Sequence, residues 1–258
     1  MKNLTMIFCL LLLSFSSVTQ ASQTVHIAVA SNFLATLKSL AKSFTAETGI
    51  KVYISNGASG MLYNKIKRGA PYDLFFSADA KRPLLLDQEG LIVPGSRFTY
   101  VTGRLVVWSP DEAVLPADLS KLDPLDKRLR FMAIANPKTA PYGQAAVAVL
   151  KHYSLYKGLS AQQKIALGEN VGKAFQYTAT GNAQIGLVAK SYVSNPNNPV
   201  RGAVSEIPRH LYPQLQQQAV IIKGRETEAV KAFIKYFKSE QAQKQIQLFG
   251  YGTLLADE

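Results

Sequence analysis

The sequence predicts an α/β protein of two lobes, each built on a mostly parallel sheet flanked by helices, with two strands that connect the lobes. Three observations carry this prediction. Strands alternate with helices in the first part of the chain, the alternation resumes in the middle, and two β-rich segments bracket that middle. Such alternation is typical of parallel sheets with right-handed crossovers.

The first lobe begins with a strand over residues 24–30. A helix follows in which Phe33, Leu37, Leu40 and Phe44 share one face, and Gly49 is well placed to end it. Residues 50–54 and 73–77 are predicted as strands, with a short helix over 61–68 between them.

The middle of the chain opens with a long β-rich run over residues 98–108. Strands are predicted over 129–135 and 185–189, and helices over 143–153 and 171–179. Residues 194–199 are polar and rich in proline, so they form a loop. The chain ends with a strand over 219–222 and a mostly helical segment over 226–249.

The two β-rich segments, near residues 99–103 and 212–219, set the predicted domain boundaries. We expect a first lobe of residues 22–100 together with 220–258, and a second lobe of residues 101–219. The two segments act as hinge strands, and a ligand binds in the cleft between the lobes when the hinge closes.

Composition narrows the class of function. The 258 residues include 29 Lys and Arg against 17 Asp and Glu, a net charge of +12, and 47% are hydrophobic, as in globular proteins. The basic residues form no stripe interleaved with aromatics, so we expect no nucleic-acid partner. One cysteine and three scattered histidines exclude a disulfide framework and give no metal cluster.

The N-terminus has the pattern of a secretory signal peptide. Lys2 precedes an apolar run over residues 6–13, and small and polar residues follow up to Ala21. The run is shorter than the roughly 20 residues that cross a bilayer. Cys9 lies inside the run, which does not suit a lipid anchor. We therefore expect residues 1–21 to be removed and the mature chain to be a monomer in a bacterial periplasm.

Four strand-to-helix turns share a composition that suits an anion. They cover residues 30–33, 56–60, 140–143 and 169–172. Ligands of open α/β sheets bind at the carboxyl ends of strands, and helix starts present unpaired N–H groups with partial positive charge. Ser31 and Ser59 add hydroxyl donors. If the turns converge they form an anion site without Lys or Arg; alternatively, each is an ordinary N-cap.

Catalytic motifs are incomplete. Residues 57–61 resemble a nucleophile elbow but lack its last glycine, and residues 181–186 are not followed by the Lys-Ser/Thr of a phosphate-binding loop. We find no base–nucleophile pair and predict no catalytic residue.

Several motifs carry a family resemblance. They are Ala-Val-Ala-Ser-Asn at 28–32, Ser-Asn-Gly-Ala-Ser-Gly at 55–60, Gly-Ala-Pro-Tyr-Asp-Leu-Phe-Phe-Ser-Ala-Asp at 69–79, Pro-Tyr-Gly at 141–143 and Ile-Gly-Leu-Val at 185–188. Together they resemble the periplasmic molybdate-binding proteins of ABC transporters over nearly all of the mature chain. The resemblance implies an α/β chain with the type II periplasmic binding protein fold. It also implies that the protein delivers molybdate or tungstate to an inner-membrane permease. It implies no cofactor and no directly coordinated metal, since molybdenum is bound as the oxyanion.

The resemblance also implies the ligand donors. Ser31 and Ser59 would each give a hydroxyl and a backbone N–H, and Tyr142 and Val171 would each give a backbone N–H. Asn32 would be an added donor, as in one branch of the family. Another branch has a tyrosine directly after the Ile-Gly-Leu-Val strand, where this chain has Ala189. Binding of sulfate or chromate, a non-transport sensor domain and an enzyme on the same fold are the alternatives.

Overall fold

The computed structural model describes residues 24–114, 116 and 119–252. The predicted signal peptide lies outside these residues. The strands are β1 Thr24–Ala30, β2 Lys51–Gly57, β3 Leu74–Phe76, β4 Phe98–Gly103, β5 Leu105–Ser109, β6 Met132–Ala135, β7 Ile165–Gly168, β8 Ile185–Ala189, β9 Ala203–Glu206 and β10 Leu215–Ile221. The helices are α1 Leu34–Thr48, α2 Ser59–Lys67, α3 Lys81–Gln88, α4 Pro141–His152, α5 Leu155–Ala161, α6 Val171–Ala179, α7 Lys190–Val193, α8 Glu228–Phe237 and α9 Glu240–Leu248.

The strands form two five-stranded sheets, which confirms the two-lobed α/β prediction. The first has the order β2-β1-β3-β10-β4, in which β1 is parallel to β2 and β3 while β10 is antiparallel to both neighbours. The second has the order β7-β6-β8-β5-β9, in which β6 is parallel to β7 and β8 while β5 is antiparallel to its neighbours. We call each sheet with its helices the first and the second lobe.

Both faces of the first sheet are covered, because its strands alternate apolar side chains between two cores. Val25, Ile27 and Val29 of β1 pack with α1, α8 and α9, whereas Ala28 packs on the other face with α2 and α3. The second sheet is built the same way, with a larger core against α4 and α5 and smaller ones against α6. The parallel strands are thus buried on both sides, as such sheets require.

The chain crosses between the sheets twice. It leaves the first sheet after β4, enters the second at β5 with Arg104 between them, and returns between β9 and β10. β4 and β10 pair with each other, so the two crossings lie side by side. The boundaries predicted at 100/101 and 219/220 fall inside β4 and β10, and the division of the chain there remains a prediction.

Several elements differ from the sequence prediction in extent. The predicted β-rich run over 98–108 is two strands in different sheets, and the C-terminal helical segment is two helices separated at Lys238 and Ser239. Gly49 does end α1, with the left-handed φ of 74° that glycine adopts readily. Among the described residues, no helix combines the length and apolarity needed to cross a membrane.

Candidate functional site

A small cavity lies between the lobes where the four predicted turns meet. It is lined from the first lobe by residues 30–32, 57–59 and 78, and from the second by residues 140–142, 170 and 171. All five residues that the resemblance implies as donors are lining residues and are buried: Ser31, Asn32, Ser59, Tyr142 and Val171. None of the described residues that line the cavity carries a charged side chain.

Three of the helices that start at the cavity have alanine as their N-cap. Ala30 precedes the 3₁₀ turn Ser31–Phe33 that leads into α1, Ala58 precedes α2, and Ala140 precedes α4. None of these three ends has a side-chain capping bond. The hypothesis that Ser31 and Ser59 are ordinary N-caps is therefore wrong, because each is the first residue inside its helical segment. Alanine is a poor N-cap and leaves the first N–H groups without a side-chain acceptor.

The fourth helix, α6, is capped in the usual way. The side chain of Asn170 accepts a hydrogen bond from the backbone N–H of Lys173 at 3.1 Å. Val171, the first residue of the helix, lines the cavity. The N–H of Gly172 donates to the Ser31 hydroxyl at 3.4 Å and so joins the two lobes.

The two serine hydroxyls already accept hydrogen bonds from the protein. Ser59 Oγ accepts from the backbone N–H of Ala78 at 2.9 Å, and Ser31 Oγ accepts from Gly172. A hydroxyl has one proton to donate and two lone pairs. Because backbone N–H groups occupy one acceptor position of each oxygen, the arrangement favours donation of both hydroxyl protons to an acceptor in the cavity.

The amide group of Asn32 donates both of its hydrogen bonds to other side chains of the protein. Its Nδ2 donates to Gln217 Oε1 at 2.8 Å and to Tyr251 Oη at 3.0 Å, which uses both amide protons. Its buried Oδ1 has no hydrogen-bond partner. Any donation from Asn32 to a ligand would therefore come from its backbone N–H, at the start of the segment that leads into α1.

Tyr142 also directs its hydroxyl to a protein group. Its Oη accepts from Gln217 Nε2 at 3.4 Å, and burial raises the pKa of this hydroxyl well above its ordinary value of 10.0. The hydroxyl therefore stays neutral at physiological pH. The backbone N–H of Tyr142 lies in the first turn of α4, where N–H groups have no partner within the helix.

The sequence prediction missed the residues that hold these donors in place. Tyr192 donates to the Ser31 carbonyl at 2.7 Å, and Ser191 donates to the Asn32 carbonyl at 2.8 Å, both from the second lobe to the first. Tyr192 lies three residues after Ala189. Gly60 N–H donates to the Thr139 carbonyl at 3.0 Å across the cleft. A sequence pattern gives no sign of such pairings between lobes.

One ion pair lies near the first-lobe side of the cavity. Asp79 accepts from the guanidinium of Arg82 and, at 3.0 Å, from the Ser77 hydroxyl. Both charged side chains are largely buried. The pair is internally neutralised, so the donors at the cavity are dipoles rather than net charges. Within the described part of the chain, no three His, Cys, Asp or Glu residues form a group that could hold a metal ion.

Known proteins are similar to this chain in sequence and architecture. The family model of bacterial extracellular solute-binding proteins matches residues 25–252. The molybdate-binding proteins ModA of Azotobacter vinelandii and Rhodobacter capsulatus are each 40% identical to the chain. The first match covers 88% of this chain and 89% of that protein, and the second covers 90% of each.

A solved structure agrees with the sequence matches. The structure of the Azotobacter vinelandii periplasmic molybdate-binding protein is similar to this one with a TM-score of 0.81 and 40% identity, and the match covers 88% of this chain and 98% of that chain. The chain therefore belongs to the family of bacterial extracellular solute-binding proteins and is a homologue of the ModA molybdate-binding proteins.

Proposed function

We propose that the chain is a periplasmic substrate-binding protein that captures molybdate or tungstate and delivers it to an ABC permease in the inner membrane. The observation that carries this proposal is the convergence of four helix starts, three of them capped by alanine, on one buried cavity with two serine hydroxyls. Its homology to ModA proteins supports the choice of ligand.

The alanine caps favour a bound anion over a purely structural role. Alanine in place of a good N-cap costs a helix about 1 kcal/mol, and here the cost recurs at three ends. An oxyanion at the cavity would accept from the N–H groups that no side chain caps. The ligand would therefore supply hydrogen-bond acceptors to these N–H groups, and binding would recover the free energy of folding that the alanine caps do not provide.

A site of neutral donors suits a transport protein. Hydrogen bonds from N–H and O–H groups to an anion are charge-assisted and roughly twice as strong as neutral ones. A Lys or Arg in the cavity would hold the anion more tightly, but the protein must also release it to the permease. The donors we propose are the hydroxyls of Ser31 and Ser59 and the backbone N–H groups of Ser31, Asn32, Ser59, Tyr142 and Val171.

Selection among tetrahedral dianions would depend on size, because their charges are equal. A smaller anion such as sulfate cannot reach all the donors of a cavity built for molybdate. Each buried donor left without a partner costs about 1–3 kcal/mol. Molybdate and tungstate, which are nearly the same size, would bind similarly.

Closure of the lobes over the anion would create the surface that the permease recognises. Backbone groups already bond across the cleft, among them the N–H groups of Gly60 and Gly172 and the carbonyls of Ser31 and Asn32. An anion held by donors from both lobes would add to these bonds and favour the closed form.

The proposed role as an exported binding protein has consequences for processing, assembly and activity. We propose that residues 1–21 direct export and are removed, that the protein acts as a monomer without a nucleic-acid partner, and that it is not an enzyme. Sulfate binding, chromate binding and a sensor role are the competing functions. Cell fractionation tests the export: the shortened chain is expected in the periplasmic fraction, and a full-length chain in the cytoplasm would contradict it.

The ligand class is tested by thermal unfolding of the purified mature chain with molybdate, tungstate, chromate, sulfate or no added anion. A ligand that binds only the folded state stabilises it by about 2.7 kcal/mol at 100 times its Kd. We expect molybdate and tungstate to raise Tm far more than equimolar sulfate. A larger rise in Tm with sulfate or chromate would contradict the assignment of molybdate as the ligand. An unchanged Tm with every anion would favour a sensor role.

A further inference from the structure

We infer that Gln217 is a positioning residue that ties the anion-binding helix starts of the two lobes together when the cleft is closed. Gln217 lies on β10, one of the two strands at the crossing between lobes, and is fully buried. This inference rests on the proposed function, because it concerns how the same site is aligned.

The carboxamide of Gln217 is the centre of a buried hydrogen-bond network. Its Oε1 accepts from Asn32 Nδ2 at 2.8 Å and from Tyr100 Oη at 2.9 Å. Its Nε2 donates to Tyr142 Oη at 3.4 Å. Asn32 belongs to the first-lobe site and Tyr142 to the second, so one side chain on a hinge strand contacts a proposed ligand residue of each lobe.

The backbone around Gln217 is shaped to admit these contacts. A Cβ atom on Gly103 would lie 2.4 Å from Gln217 Nε2 and 2.4 Å from Tyr142 Oη, so no side chain fits there. Gly103 lacks the positive φ that would otherwise explain a glycine. The register between β10 and β4 also shifts between Gln217 and Gln218. The absence of a side chain at Gly103 and the register shift are two separate backbone features that accompany these contacts.

The network fixes the orientation of Asn32. With both Nδ2 protons held by Gln217 and Tyr251, the Asn32 side chain cannot rotate freely. The Asn32 carbonyl is held separately by Ser191 and Tyr251. The peptide that begins the first helix is thereby locked, and its backbone N–H is directed by contacts on the side chain and the carbonyl.

Gln218 offers a matched comparison. It is the same residue type on the same strand, and it is also buried. Its Nε2 donates to Thr99 Oγ1 at 3.2 Å and its Oε1 accepts from Arg97 Nη1 at 3.0 Å, and both partners precede the crossing to the second lobe. Gln218 therefore supports the first lobe alone, whereas Gln217 connects both lobes.

The test compares Gln217→Met with Gln218→Met, since methionine preserves length and approximate volume while removing the amide. Molybdate affinity and Tm are measured for both variants. For lobe closure, spin labels are placed on Leu84→Cys in the first lobe and Lys138→Cys in the second. Both sites are exposed, and the mature chain would have no cysteine of its own because Cys9 lies in the predicted leader. Distances between the labels are recorded with and without molybdate.

We expect Gln217→Met to weaken molybdate binding about tenfold or more and to broaden the label distances toward an open form, with Gln218→Met within about twofold of the parent affinity. Equal affinity and equal distances for the two variants would overturn the inference. A Gln217→Met protein with lowered Tm but parental affinity and closure would also overturn it, since the role would then be structural.

A second variant separates this inference from the ligand assignment. Tyr142→Phe removes the second-lobe partner of Gln217, so it should cause no further loss of closure in the Gln217→Met background. If the parent protein bound no molybdate, the proposed assignment of the ligand would be wrong. The label distances without anion would then decide the inference, which requires Gln217→Met to be more open than Gln218→Met.

Discussion

Replacement of Ser59 by alanine tests the proposed donors most simply. The Ser59 hydroxyl is buried and accepts from Ala78 N–H at 2.9 Å, and in the proposed site it donates its proton to the anion. A hydrogen bond to a charged group contributes about 1.5–3 kcal/mol, and each 1.4 kcal/mol changes Kd tenfold. We therefore expect Ser59→Ala to weaken molybdate binding roughly 10- to 150-fold.

The same substitution should leave a folded protein. It removes the acceptor of one buried N–H, which costs about 1–3 kcal/mol, against a stability of about 5–15 kcal/mol for a typical native protein. Calorimetric titration gives the affinity, and thermal unfolding without anion gives the stability.

Ser109→Ala is the matched control. The Ser109 hydroxyl is fully buried and lies 2.7 Å from the Asp111 carbonyl and 2.8 Å from the Gln184 carbonyl, which share its one proton, but it does not line the cavity. We expect this variant to lose stability and keep its affinity. If Ser59→Ala bound molybdate within threefold of the parent protein, the hydroxyl would not be a donor and the reasoning would be refuted.

Three further predictions concern closure, Tyr142 and pH. Gly60→Ala should weaken binding about tenfold in titrations, because its Cβ would lie 3.0 Å from the Thr139 carbonyl across the cleft and overpacking costs about 1–3 kcal/mol; unchanged affinity would contradict it. Tyr142→Phe should change affinity less than about fivefold, because it removes only the long bond to Gln217 and leaves the bonds from Asn32 and Tyr100 to Gln217 in place; a loss larger than that of Gln217→Met would make the hydroxyl a ligand donor. Burial raises the pKa of Tyr142 and Tyr100 in the folded state above the ordinary 10.0, so the folded state retains protons that the unfolded state loses. Stability should therefore fall as pH rises above about 10, and Tm values that stay constant from pH 9 to 11 would contradict this.

Much of the fold could be predicted because its strands and helices have strong local patterns. β1, α6 and β8 begin and end where the apolar periodicity places them. α3 was not predicted, because Pro83 and the flanking charged residues obscure its apolar face. The run over 98–108 is rich in β-branched and aromatic residues and is interrupted only at Gly103 and Arg104, so no local pattern shows that its halves belong to different sheets.

The candidate site could be predicted only in part. The residue types at four turns indicate an anion site, but whether Ser31 and Ser59 cap their helices depends on a shift of one residue in the helix start, which lies within the uncertainty of any boundary prediction. The structure gives the N-cap to Ala30 and Ala58 instead. The role of Gln217 depends on three residues far from it in sequence, and local periodicity carries no information about such contacts.

Calorimetric titration of the mature, chelator-washed protein with molybdate, repeated in excess sulfate, decides whether the converging helix starts bind a molybdate-class dianion. We expect tight one-to-one binding that persists in sulfate. Binding that sulfate abolishes would contradict the ligand assignment, and the absence of any heat with either anion would contradict the site itself.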